Sequence, residues 1–262
     1  MGLCCCKETP KIKEGVLYDD VKHLLKPFTP ILFKGSDFVS KTICDIERFG
    51  NRIARSGDFS HVGMIVTSDI LDHPKVLPNK IYVWESTMSG RLGSGVKNIY
   101  DKSYLGVQLR DFDELVVGYD KPNVTRIAYG ELIHNPIDDM PMAELKEKFT
   151  QLFTELDGTR YDLNMYSLLS AICPGLRCAR QKIEEVCHTE KWLFCSELVA
   201  TVYITMGIYP HTVNPKDVVP RDIAFPEADT DQTPVILSNE PTYIVSELHC
   251  NPKIKDYIAV NL

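Results

Sequence analysis

The sequence predicts one domain that mixes strands with helices, preceded by a short segment of different character. Three observations lead there. Residues 60–67 (SHVGMIVT) and 80–87 (KIYVWEST) have the β-branched and apolar make-up of half-buried strands. Residues 141–156 put Leu145, Phe149, Leu152, Phe153 and Leu156 on one helical face. Residues 191–206 (KWLFCSELVATVYITM) carry a second stripe, formed by Leu198, Val199, Val202, Tyr203 and Met206, behind a run at 191–194 that leads into the helix. No internal repeat or low-complexity linker divides the remainder. Residues 31–262 therefore read as one domain and residues 1–30 as an anchor and lead-in.

Composition narrows the function classes. With 262 residues, 44% hydrophobic and 25% charged, the chain has the balance of a soluble globular protein. A net charge of −7 argues against a nucleic-acid partner, which would call for a basic face. The nine cysteines are odd in number and follow no evenly spaced framework. No apolar secretory core precedes them, and no apolar run reaches 18 residues, so reduced thiols in a cytosolic setting are expected.

The first six residues, MGLCCC, place Gly2 as an acceptor for N-myristoylation and Cys4, Cys5 and Cys6 as acceptors for S-palmitoylation. Cys6 stands where the myristoylation motif usually has Ser or Thr. One myristoyl chain holds a protein only marginally, so a second signal is needed. The nearby lysines are interrupted by Glu8 and Glu14, which leaves the cysteines to supply it. The alternative is an untethered tail with incidental cysteines.

Residues 15–30 suit one short helix, 31–39 an extended segment through Gly35-Ser36-Asp37, and 41–55 a helix ended by Gly57. After the two strands, the glycine-rich stretch 89–96 (SGRLGSGV) matches neither a phosphate-binding fingerprint nor a nucleophile elbow, and reads as a loop. Extended segments are predicted at 106–110, 114–117 and 124–133. The helix at 141–156 has Pro141 for its first turn and Gly158 for its stop. A short helix follows at 163–172, a turn or helix start at 214–222, a loop over 226–241, and terminal strands at 243–248 and 257–261.

Cys195 falls at the start of its helix, where free N–H groups and the helix dipole favour a thiolate. That makes it a candidate nucleophile. A buried structural cysteine is the other reading of the same placement. If residues 60–67 and 80–87 form a hairpin centred near His73, His61 lies directly opposite Glu85 on one face. A carboxylate there would fix the imidazole tautomer and stabilise its charged form, whereas an exposed pair would have no role. Cys173, Cys178, Cys187 and His188 invite a zinc reading. They lack a paired C-x2-C knuckle, and adjacent Cys187-His188 would struggle to ligate one ion together, so no cofactor or metal is expected.

Taken in order, these residues resemble the circularly permuted, YiiX-like branch of the NlpC-type papain-like cysteine hydrolases, a group with poxvirus relatives. The motifs are Gly35-Ser36-Asp37 (one residue longer than the usual G-D turn), Ser60–Gly63, Trp84-Glu85, Gly158–Asp162 and Cys195–Leu198. The base precedes the nucleophile, as in that branch. The resemblance implies an α+β domain whose antiparallel sheet packs on the Cys-bearing helix. It assigns Cys195 as nucleophile, His61 as base, Glu85 as the orienting group and Tyr161 as a helper at the oxyanion or substrate; Tyr161 also reads as an ordinary core tyrosine. The implied activity is that of a cysteine hydrolase or acyltransferase on an amide, ester or thioester bond. With the anchor, the expected substrate is a membrane lipid or lipidated protein at the cytoplasmic face of a membrane. The rival is a non-catalytic membrane-associated interaction protein that keeps the fold.

Overall fold

Alternation along the strands sets the architecture. Successive strand residues face opposite sides, and here both sides are apolar, so the sheet must be covered twice. The computed structural model describes residues 13–35, 59–87, 95–119, 125–132, 135–161, 192–224 and 243–249. Gly2, Cys4, Cys5, Cys6, residues 36–37, the predicted helices 41–55 and 163–172, Cys173, Cys178, Cys187, His188 and the stretch 257–261 lie outside the described residues.

The described strands are β1 (Lys13–Leu17), β2 (Pro30–Gly35), β3 (His61–Val66), β4 (Tyr82–Thr87), β5 (Gly106–Asp111), β6 (Thr125–Leu132), β7 (Arg160–Tyr161), β8 (Trp192–Leu193) and β9 (Tyr243–His249). They form one sheet in the order β1-β9-β6-β2-β3-β4-β5-β7-β8. It is antiparallel through its centre, and β1 with β9 and β7 with β8 are the parallel outer pairs. The helices are α1 (Tyr18–Val21), α2 (Phe112–Tyr119), α3 (Pro136–Asp139), α4 (Met142–Leu156), α5 (Cys195–Thr205) and α6 (Pro220–Ala224). The class is α+β, with an antiparallel sheet packed on the Cys-bearing helix.

On one face, Leu32, Val62, Met64, Trp84, Leu109 and Ala128 meet Leu145, Phe149 and Phe153 of α4 and Leu198, Val199, Val202 and Tyr203 of α5. All five residues of the predicted α5 stripe are buried. Phe149 packs edge-on to both Phe28 and Trp84, with ring centroids 5.5 and 5.6 Å apart. Each fully buried aliphatic or aromatic side chain contributes roughly 1.5–3 kcal/mol, so this layer fixes α5 firmly against the strands. α4 ends where expected: Asp157 caps it and Gly158 takes a left-handed φ of 77°. Pro141 stands one position earlier than expected, at the N-cap.

The other face is covered partly by the lead-in. Tyr18, Val21 and Leu25 pack with Ile31, Phe33, Ile65, Val83, Phe112 and Leu115. Tyr18 and Lys22 both bind Asp113 of α2, each at 2.6 Å. From Lys13 onward the lead-in thus adds an edge strand and buried side chains to the domain.

One segment differs from expectation. Residues 114–117, expected to be extended, lie in α2. Asp111 accepts a hydrogen bond from the Glu114 N–H at 3.2 Å, and Asp113 and Glu114 occupy the first turn. The cap and the favourable dipole outweigh the β preference of Val116 and Val117. Among the described residues, no helix is long and apolar enough to cross a membrane.

Candidate active site

The site forms where α5 and β3 begin. β8 carries the chain to the helix, held by Ser86, whose hydroxyl donates to the Leu193 carbonyl at 2.6 Å. Phe194 is extended (φ −73°, ψ 164°), and Cys195 is the first residue of α5. The Glu197 carboxylate turns back to accept from the Phe194 N–H at 3.4 Å, tightening the first turn. Cys195 is a free thiol, 4% exposed.

His61, the first residue of β3, bonds through Nε2 to Oε2 of Glu85 and is electrostatically coupled to the Cys195 thiol. Phe33, its cross-strand partner, lays a ring 5.3 Å from the imidazole centroid. Burial alone would lower the His61 pKa. The charge and hydrogen bond of Cys195, followed by those of Glu85, outweigh it and push the value up to about 10. Glu85 is fully buried. Burial would raise its pKa, but the Arg110 guanidinium, then His61, holds the carboxyl down at about 2. Arg110 Nε donates to Oε1 of Glu85 at 2.7 Å, and its Nη2 binds the same oxygen.

The strand register needs correction. Met64 pairs with Trp84, Ile65 with Val83 and Val66 with Tyr82, whereas the expected hairpin would have set Met64 against Tyr82. The offset is two residues, which preserves the face while moving every partner. His61 is therefore diagonal to Glu85, and Gly63 stands across from it. Diagonal neighbours are about 7–8 Å apart at the backbone, a gap that a glutamate spans. Glu85 faces Gln108 on the other side, so Arg110 is diagonal in the opposite sense. The carboxylate lies between a histidine and an arginine, one oxygen for each.

Gly63 makes room for this. A Cβ at that position would sit 2.8 Å from Val83 Cγ2 and 3.0 Å from Glu85 Cβ. Neither is the loose end of a flexible side chain. Gly63→Ala is expected to displace Glu85, lowering stability by about 1–3 kcal/mol through overpacking and reducing any Cys195-dependent rate. Urea unfolding and rate measurement check this; an unchanged variant would mean that β3 and β4 do not approach as described.

Tyr161 sits on β7, paired with Leu193 of β8, and its ring packs edge-on against Phe194 at 5.9 Å. It thus stands beside the residue that precedes the nucleophile and is buried. Sequence reasoning missed two residues of the site, Arg110 and Phe33. Arg110 carried a usable signal, a lone guanidinium in the otherwise apolar and neutral run 106–110. Among the described residues, no group of three or more His, Cys, Asp or Glu is placed to hold a metal ion. No protein-family model matches the chain, and comparison with curated protein sequences gives no match either.

Proposed function

We propose that this chain is a cysteine hydrolase or acyltransferase with a circularly permuted papain-like domain, tethered to a membrane by lipid on Gly2 and on Cys4, Cys5 and Cys6. The observation that carries this reading is the buried His61–Glu85 hydrogen bond beside Cys195, to whose charge His61 is coupled. The thiol sits on the first residue of a helix, with a base on one side and an orienting carboxylate behind the base. With Nε2 engaged by Glu85, Nδ1 is the ring nitrogen left to serve the thiol.

In this mechanism the Cys195 proton rests on His61, held there by Glu85, and the thiolate attacks the carbonyl carbon of an amide, ester or thioester. The bond to the leaving group breaks as His61 returns the proton to it. Water or another acceptor, deprotonated by His61, then attacks the acyl-enzyme and regenerates the thiol. The backbone N–H groups that open α5 would stabilise the developing oxyanion. The anchor favours a membrane lipid or lipidated protein as substrate, and it sets the cytoplasmic face of a membrane as the location.

The test is to incubate the full chain with a membrane extract and weigh it intact. An acyl mass on Cys195, absent from Cys195→Ala, supports the reading. Iodoacetamide that labels Cys195 no faster than the other cysteines, with no adduct formed, would overturn it. Separately, Gly2→Ala is expected to move the protein from the membrane to the soluble fraction. Its activity on a water-soluble substrate should be unchanged. A wild-type chain found wholly soluble in a cell that acylates proteins would remove the anchor from the proposal.

A further inference from the structure

Glu85 has two oxygens and, among the described residues, two side-chain partners, one of which binds a single oxygen twice. Arg110 is 1% exposed, and Nε and Nη2 both donate to Oε1. Its Nη1 donates to the Val96 carbonyl at 3.5 Å, so the guanidinium is held from both sides. We propose that Arg110 is a positioning residue of the site: by holding Oε1 it keeps Glu85 ionised with Oε2 turned to His61, so that the proton between them stays on the imidazole. The inference rests on the proposed roles of His61 and Glu85 and deepens them.

A buried carboxyl beside a histidine has two ways to carry one proton, as carboxylate with imidazolium or as carboxylic acid with neutral imidazole. Removal from water favours the uncharged arrangement. Among the described residues, the charged groups facing Glu85 are His61 from β3 and Arg110 from β5, while Cys195 from α5 is coupled to His61. Arg110 touches the carboxylate and lies farther from the ring, on the opposite diagonal. It therefore attracts the anion more than it repels the imidazolium, and the balance selects the ion pair. A neutral His61 bonded to a protonated Glu85 would still be oriented, but it would give no charge support to the thiolate.

Stability is a poor explanation for this arginine. A buried Arg–Glu pair gains little over apolar side chains of equal volume. Lysine could supply the charge but not the fork that binds Oε1 through two N–H groups.

The experiment compares the full chain with Arg110→Met, Arg110→Lys and the double variant Arg110→Met/Glu85→Gln. Carboxyl 13C and imidazole 15N signals are followed through a pH titration. In the wild type, Glu85 should remain ionised down to about pH 2. In Arg110→Met its titration should move up into or above the ordinary carboxylate range, and the His61 signals at neutral pH should shift toward the uncharged ring. Turnover should fall roughly tenfold or more with KM little changed, and Arg110→Lys should recover part of it. The double variant should be no slower than Glu85→Gln alone, since an arginine acting through Glu85 has nothing left to position. A folded Arg110→Met whose Glu85 and His61 signals titrate as in the wild type would overturn the proposal. So would a double variant much slower than Glu85→Gln. Should Arg110→Met fail to fold, Arg110→Lys and the charge-free double variant carry the same comparison. The titrations need no substrate, so they decide the role of Arg110 even if Cys195 forms no acyl adduct and the hydrolase reading falls.

Discussion

Cys195→Ala is expected to abolish turnover while leaving the fold intact. Loss of a nucleophile from a unit that acts together removes on the order of 10^6 in kcat, because no other group forms the covalent bond. The fold should tolerate the change, since alanine suits the helix and only one buried sulfur is lost. Cys195→Ser should fail as well, because a hydroxyl is far harder to ionise beside the same base. Turnover, iodoacetamide labelling and a thermal melt on the same preparations check all three points. Activity retained by a fully folded alanine variant would end the assignment of Cys195.

His61→Ala should lose more activity than Glu85→Gln, since it removes the base itself rather than its orienting partner. The two together should cost much less than the product of their separate effects. The pH dependence has a definite sign. In the wild type the imidazolium persists through neutrality and is lost as the pH rises through about 10. Glu85→Gln removes one of the two groups that raise this value, so the alkaline limb of the rate profile should move down toward neutral pH. The same substitution strands the Arg110 charge in the interior, and breaking a buried pair in this way costs about 3–5 kcal/mol. Melting curves must therefore accompany the rates. If the folded Glu85→Gln variant keeps the wild-type rate and limb, Glu85 does not support the base.

Much of this arrangement could be read from local pattern. The α5 stripe, the α4 face with its glycine stop, and the strands around His61 and Glu85 all follow from periodicity within one element. The His61–Glu85 contact was legible for a narrower reason: an error of two residues in the register leaves the face unchanged, and the long glutamate side chain bridges the diagonal. An error of one would have separated them. The place of Arg110 beside Glu85 was not legible, because the connection from β4 to β5 is too long for a turn to set the register, even though its lone guanidinium stood out in the run. The pairing of β1 with β9 is more remote still and leaves no local trace. Tyr18, Val21 and Leu25 did carry a signal, an i, i+3, i+7 spacing ahead of Pro27, that marks the lead-in as part of the core.

If Gly2 carries lipid as proposed, the place of β1 in the sheet sets how far the domain can stand from it. Lys13 already belongs to an edge strand paired with β9, so only the residues before it separate a lipid on Gly2 from the folded body. At ~3.3–3.6 Å per residue, that stretch reaches at most about 40 Å when fully drawn out. With Gly2 acylated, the domain stays within that distance of the bilayer surface. Its search for substrate then becomes two-dimensional, with encounter rates governed by lateral diffusion and surface density rather than by bulk concentration. Lengthening the stretch between Cys6 and Lys13 should weaken that advantage for membrane-bound substrates and leave reaction with a soluble thiol reagent unaltered.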